Sequence, residues 1–243
     1  MHTNYLQLAV NNNAIWCETV CRSHNIPGEF HETFWMIKHQ APTYYPNLIT
    51  LSPAENLDLH QDPLAAFLSE QNDYTISIKD SFADLDLDPF GFHSLFEAQW
   101  IILRSDSMTV PNQPSTELAW KRITEEKELL GWETAWSQTE LTQNHIFQAP
   151  LLHDANICIM AAYQDNHIVA GAIANKTPGV VGVSNVFTPE QDAEQYWQGL
   201  LALISNQHPG LPIVGYEQDE SLALAIRVGF TILGPLRVWL KDE

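Results

Sequence analysis

Between residues 157 and 187, three apolar runs follow one another with room for little more than turns. Ile157 to Tyr163, Ile168 to Ala174 and Val180 to Phe187 each have the length and composition of a strand. Asp165-Asn166 separates the first two and Thr177-Pro178-Gly179 the next two, both turn-forming sequences. Connections this short join antiparallel neighbours, because a parallel return needs a crossover of a dozen residues or more. Thr188-Pro189-Glu190 then opens a helix predicted to run to about Asn206, closed by His208-Pro209-Gly210. Pro212 to Tyr216 reads as a short strand, Ser221 to Val228 as a helix and Phe230 to Leu240 as a last strand. Upstream, Glu117 to Ile123 reads as a strand, and Thr124 caps a helix through Trp136 with early acidic residues. The order predicts a mixed α/β domain over residues 117–243, its largely antiparallel sheet flanked by helices.

The preceding part is less regular. A helix is expected from Ala9 to His24, stopped by Asn25-Ile26-Pro27-Gly28. Strands are expected at Tyr44 to Leu51, Tyr74 to Ile78 and Leu95 to Leu103. Asp62-Pro63 starts a short helix through Gln71. The polar stretch Ser105 to Thr116, with Pro111 and Pro114, reads as a linker. Residues 1–110 thus read as an N-terminal acidic α/β region, whose helix-strand-helix-strand-strand order suggests a remnant of a unit similar to the C-terminal one. No internal repeat is visible along the chain.

Charge narrows the partners. The 243 residues carry a formal net charge of −19. Residues 1–150 hold 20 acidic and 7 basic side chains, against 10 and 4 in residues 151–243. Such a surface repels phosphate backbones and anionic membranes, so neither nucleic acid nor membrane is expected as a partner. No apolar run reaches the roughly 18 residues a membrane span needs. Met1-His2-Thr3-Asn4-Tyr5 has no basic start of the secretory type, and three Cys fit a reduced, cytoplasmic setting.

Several constellations have a plainer reading. Cys17, Cys21 and His24 share a helix face at metal-compatible spacing, but no fourth ligand is adjacent, so two small apolar thiols are expected there and no metal. Asp84, Asp86 and Asp88 mimic a calcium loop, yet Pro89 and Leu95 stand where Gly and Glu are needed. An edge segment with outward acids is the better reading. Trp132 and Trp136, with Trp120, either line an aromatic pocket for a cationic amine or, more commonly, build core.

Arg122-Ile123-Thr124-Glu125-Glu126, and Ala225-Ile226-Arg227-Val228-Gly229-Phe230 leading into the last strand, carry a resemblance. With three antiparallel strands before a central helix, they resemble the GNAT acetyltransferases, over roughly half the chain. The resemblance implies an acyl-CoA N-acyltransferase fold, with acetyl-CoA as cofactor. It implies transfer of an acyl group to the amine of a small or peptide acceptor, which the acidic surface suggests is cationic. In that family a Gly-rich loop with an Arg opens the central helix and holds the cofactor's diphosphate by backbone N–H groups. Here the corresponding stretch is Pro189-Glu190-Gln191-Asp192-Ala193-Glu194-Gln195-Tyr196-Trp197. Ala193, Glu194, Gln195 and Tyr196 would offer backbone groups to the diphosphate, and Val186 and Phe187 to the pantetheine arm. Asp192 replaces the Arg, Ala193 and Gln195 replace glycines, and Glu194 stands where a basic residue is common. Each like-charge contact at about 4 Å costs on the order of 4 kcal/mol at an effective dielectric of about 20, before screening. Arg227 or Lys176 would have to compensate.

The family's Tyr in the last helix corresponds to Ala225, so Tyr216 is the candidate general acid and Glu217 the candidate general base. Their plainer roles are a strand-end aromatic and a solvated cap. Asn185, polar inside an apolar strand, marks either the floor of a cleft or a bulge. Two functions follow: an acyl-CoA-dependent N-acetyltransferase, or a degenerate GNAT-fold binding or regulatory protein that lost its diphosphate loop.

Overall fold

The computed structural model describes residues 3–59, 63–69, 73–106, 119–138 and 145–242. In chain order these form α1 (Tyr5–Ser23), β1 (Glu29–Phe30), β2 (Phe34–Met36), β3 (Leu48–Thr50), α2 (Leu64–Ser69), β4 (Ile76–Asp80), β5 (His93–Leu103) and β6 (Ala119–Arg122). There follow α3 (Glu126–Ser137), β7 (Ile157–Gln164), β8 (His167–Thr177), β9 (Val180–Phe187), α4 (Ala193–Gln207), β10 (Ile213–Glu217), α5 (Asp219–Arg227) and β11 (Thr231–Lys241). The chain divides into two compact units, residues 1–100 with 233–243, and residues 101–232. The divisions fall inside β5 and β11, whereas composition places the boundary in the polar stretch at 105–116. From residue 107 to 116 that stretch lies outside the described residues, as does Asp62, the expected cap of α2.

In the second unit, β6, β7, β8 and β9 pair antiparallel and β10 joins parallel to β9. The hairpin turn at Asp165-Asn166 has both residues at positive φ, 49° and 64°, the twist that suits a two-residue connection. α4 presents Trp197, Leu200, Leu201 and Ile204, one helical stripe, to a core shared with Met160, Ala172 and Val181 of the sheet. α3 begins at Glu126 with Glu125 at its cap position, not with Thr124.

In the first unit the sheet order is β1-β2-β3-β4-β11, with β3 and β4 parallel and the other pairs antiparallel. Leu64, Phe67 and Leu68 of α2 share a core with Leu48, Ile76, Ile78 and Trp239. The expected strand at 44–51 contracts to β3, and the short strands β1 and β2 have no clear sequence signal. The acids at 84–88 are not a strand. Asp84 accepts from the Ala54 N–H at 2.9 Å, Asp86 from the Asp88 N–H at 3.3 Å, and Asp88 opens a 3-10 turn. Cys17 and Cys21 are buried in α1, and burial raises both thiols.

Asn4 caps α1 by accepting from the Gln7 N–H at 3.2 Å. Further along α1, buried Glu18 accepts from the Gly28 N–H at 2.8 Å and the Trp35 indole at 3.0 Å, and pairs with Arg22 at 2.6 Å. Glu18→Ala strands two donors and is expected to lower stability by about 3 kcal/mol in urea denaturation. A loss within about 0.5 kcal/mol would show that water replaces the carboxylate.

Residues 5–103 and 126–241 repeat one order of elements. A helix (α1, α3) precedes three antiparallel strands (β1 to β3, β7 to β9). A second helix (α2, α4) precedes a strand parallel to the last of them (β4, β10). A 3-10 turn or helix then ends at a glycine with positive φ, Gly91 at 82° and Gly229 at 106°. A buried phenylalanine follows, Phe92 or Phe230, then an eleven-residue strand, β5 or β11. Even the exits from β3 and β9 match, as Leu51-Ser52-Pro53 and Phe187-Thr188-Pro189.

Candidate functional site

The site begins where β9 stops behaving as a regular strand. β8 and β9 pair in step up to Ile173 opposite Ser184, and the next registered pair is Gly171 opposite Phe187. β9 therefore carries one extra residue, and Asn185 sits at φ 52°. Asn tolerates this left-handed backbone better than an apolar branched residue would. Asn185 thus marks a bulge, which bends the strand and disrupts its ladder. On the other edge, β10 registers with β9 at Ile213 opposite Val181 and Val214 opposite Gly182. There the register ends, although β9 continues to Phe187 and β10 to Glu217. The parallel pair opens toward its carboxyl ends, the end at which α/β sheets place ligands.

Tyr216 and Glu217 are the last residues of β10, at this opening, and both are half-buried. Burial pushes the Glu217 carboxyl up to about 7. A carboxyl so placed ionises near neutrality and can exchange a proton there. Ser184, beside the bulge, has a buried hydroxyl with no hydrogen-bond partner among the described residues. Val186 lies between the bulge and Phe187 and is skipped in the register with β8. The Phe187 ring meets Trp132 edge-on at 5.4 Å. Gly171 leaves the space for both rings, since a Cβ there would run into each.

α4 starts later than its Thr-Pro-Glu sequence predicts. Pro189 is not in its first turn; Asp192 is the cap residue, at φ 60° and with no side-chain capping bond. The Asp192 carbonyl accepts from the N–H groups of Gln195 at 2.9 Å and Tyr196 at 3.2 Å. Those two amides, expected to serve the cofactor, are committed to the helix. Ala193 and Glu194 precede the helical ladder, so their N–H groups point out of its N-terminal end. The Tyr196 side chain is buried with Ala162 and Ala170, which raises its phenol.

A cavity of about 440 Å³ opens at this helix end, lined by Glu190, Asp192, Ala193, Glu194 and Gln195 from one side of the loop and helix. Gln198, one turn on, and Leu224 and Arg227 of α5 complete it. Gln198 and Leu224 escape the sequence reading, although each lies one helical turn from a nominated residue, Glu194 and Arg227. Arg227 donates from Nε to Glu194 Oε1 at 2.6 Å. Lys176 does not line this cavity. It acts on His208, whose imidazole is lowered first by burial and then by Lys176. His208 caps the C-terminal end of α4, and fifteen residues at 1.5 Å each put about 20 Å between the two ends.

No family model matches the sequence, and no curated protein matches it. Solved structures do. The chain is similar to a GCN5-related N-acetyltransferase from Kribbella flavida, at 14% identity and a TM-score of 0.63, over 97% of this chain and 96% of that one. It is similar to a GCN5-related N-acetyltransferase-like protein from Streptococcus suis, at 13% identity and a TM-score of 0.53, over 98% of each chain. It is also similar to a tandem GNAT protein from the clavulanic acid biosynthesis pathway, at 12% identity and a TM-score of 0.56, over 86% of this chain and 82% of that one. The chain has the GNAT fold, a mixed α/β architecture with mostly antiparallel strand pairing flanked by helices. Among the described residues, no helix is long and apolar enough to cross a membrane.

Acyl-coenzyme A is the group this fold implies, and the residues suit its two ends unequally. At the bulge, a skipped backbone position and the orphan Ser184 hydroxyl are groups that a pantetheine arm would satisfy. At the helix end, two outward N–H groups and Arg227 suit a diphosphate, while three carboxylates oppose it.

Proposed function

We propose that the second unit binds an acyl-coenzyme A, acetyl-CoA foremost, and catalyses acyl transfer to the amine of a small or peptide acceptor, cationic in character. The observation that carries this reading is the parting of β9 and β10 at the Asn185 bulge, with Glu217 at the open end. Val186 and Phe187 hold the pantetheine arm by their backbone groups, and Ala193 and Glu194 orient the diphosphate by theirs. The cofactor would supply the acyl group, activated as a thioester. A Glu217 Oε accepts the proton that the acceptor amine loses, and Tyr216 holds a proton on its hydroxyl for return. Asn185 keeps the bulge open by occupying a backbone conformation most residues avoid.

A second reading is favoured by one observation. Glu190, Asp192 and Glu194 line the cavity against a single guanidinium, which suits a GNAT-fold binding or regulatory protein without bound cofactor. Calorimetric titration at modest salt separates the two. Acetyl-CoA is expected to bind at micromolar to submillimolar concentration. Absence of heat at millimolar ligand would overturn the enzyme reading.

The first unit supports a further part of this proposal, that residues 1–110 descend from a GNAT-like unit that no longer holds a cofactor. The order of elements in residues 5–103 repeats that of residues 126–241. The same titration is expected to saturate at one equivalent per chain; two equivalents would refute the loss.

A further inference from the structure

We propose that the first unit carries a binding site of its own, for a small amine that is positively charged at neutral pH and has an apolar body. A cavity of about 380 Å³, a size ordinary for small-molecule sites, lies between α1, the β1–β2 connection and the exit of β3. α1 lends it Gln7, Asn11 and Ile15, spaced four apart and so on one helix face. Phe30 and Glu32 line it from the hairpin, Leu51 and Ser52 from the strand exit. These walls are tied together before any ligand arrives. Gln7 Nε2 donates to Asn11 Oδ1 at 2.9 Å and to the Leu51 carbonyl at 2.8 Å. The Leu51 N–H donates to the Thr33 carbonyl and the His31 N–H to the Phe34 carbonyl, both at 2.8 Å, which fixes the turn that holds Glu32. The Phe30 ring lies 6.4 Å from that of Trp35, whose indole is anchored on buried Glu18.

The lining selects the ligand. Glu32 is its one charged residue, and among the described residues no cation pairs with it. Lys38 binds Glu29 at 3.1 Å, and His31 lies 3.6 Å from that same neighbouring carboxylate. Gln7 spends both amide hydrogens inside the chain, which leaves its Oε1 as a fixed acceptor. Phe30 and Ile15 are 51% and 41% exposed, an apolar surface that an organic body would cover. A ring face also attracts a cation. An anion would meet Glu32 unopposed, and a bare metal ion would find a single carboxylate among amides and apolar side chains. An ammonium on an aromatic or alkyl body satisfies both surfaces, and the net charge of −19 draws cations toward the chain. The inference goes beyond the acyl-coenzyme A reading, since this site lies within the first unit and needs no cofactor.

Amide NMR of the full chain, without coenzyme A, tests this with three probes: phenethylamine, charged at neutral pH; phenethyl alcohol, its neutral counterpart; and the anion hydrocinnamate. Phenethylamine is expected to bind at roughly millimolar concentration, shifting the side-chain amides of Gln7 and Asn11 and the backbone amides of Glu32 and Ser52. The alcohol is expected to bind roughly tenfold more weakly, and the anion not at all. Glu32 and Phe30 are exposed, so Glu32→Gln and Phe30→Ala keep the fold, which circular dichroism verifies. Each is expected to weaken the amine by roughly fivefold or more. Glu126→Gln, which removes an equal charge from α3 in the second unit, is expected to change nothing. Equal weakening by Glu126→Gln would reduce the effect to general attraction by an acidic chain and overturn the site. Equal affinity for the alcohol would overturn its cation selectivity. Shifts confined to residues 101–232, or none at tens of millimolar amine, would overturn the proposal outright. None of these outcomes bears on acetyl-CoA, whose binding is titrated separately.

Discussion

Glu217→Gln is expected to lower the turnover of acyl transfer by 10²-fold or more, the usual contribution of a positioned base, while the affinity for coenzyme A changes less than about twofold. The pH profile of acyl transfer by the unaltered chain carries the diagnostic signature. Activity of a carboxylate base rises with pH and levels off above its ionisation point, which burial pushes up to about 7. The variant's residual activity is expected to be flat through that window. Stability gives a readout independent of catalysis. The folded chain holds the Glu217 proton up to about 7, whereas the unfolded chain releases it near the ordinary value of 4.5. Between those values the unfolded state binds fewer protons, so stability falls as pH rises. Glu217→Gln removes that contribution, which comparison of urea midpoints for the two proteins at pH 5 and pH 8 measures. Full activity of the variant would move the base elsewhere. An unchanged pH dependence of stability would show that Glu217 does not ionise in the way its burial implies.

Trp132→Ala is expected to destabilise the chain by about 4 kcal/mol in urea denaturation, at the upper end for a core truncation. The indole is fully buried. Its Nε1 donates to the Met160 carbonyl at 2.8 Å, and its ring meets Phe147 at 5.3 Å and Phe187 at 5.4 Å, both edge-on. Removing it opens a cavity beneath the bulged end of β9 and frees the Phe187 ring. Trp132→Phe keeps the aromatic contacts and loses the hydrogen bond, so it is expected to recover more than half of the loss. A loss below about 1.5 kcal/mol for the alanine variant would mean that the neighbouring rings collapse into the space. Trp132 is therefore core, as the spacing of Trp132 and Trp136 favoured, and not a wall of an amine pocket.

Much of the second unit's architecture was legible because its signals are local. The Asp165-Asn166 turn, the run Val180 to Phe187 and the Gly229-Phe230 junction are each specified by residues within a few positions of one another. The misread features depend on partners far away in the chain. Thr188-Pro189-Glu190 has the composition of a helix start, yet the chain bends at Glu190, turns at Gln191-Asp192 and becomes helical only from Ala193. Tyr44 to Leu51 has strand composition, but the strand is Leu48–Thr50, registered with Phe34–Met36 on one side and, through Leu48 and Ile49, with Ile78 and Lys79 on the other. Lys176 and Arg227 were equal candidates for one charge until the fold placed them at opposite ends of α4.

By itself the sequence determined the class of fold, the three-strand core of the second unit, the polar break at Asn185 and the acidic character of the helix entry. Periodicity, turn chemistry and charge act over a few residues and need no knowledge of distant neighbours. Tertiary structure alone decided where the compact units divide, because β11 registers with β4 across more than 150 residues of chain. It alone showed that the matching order of residues 5–103 and 126–241 extends to strand pairing, with β4 parallel to β3 and β10 parallel to β9, since pairing is not written in adjacent residues. And it alone set Arg227 against Glu194 at 2.6 Å, because a side chain's charge is local but its reach depends on how two helices pack.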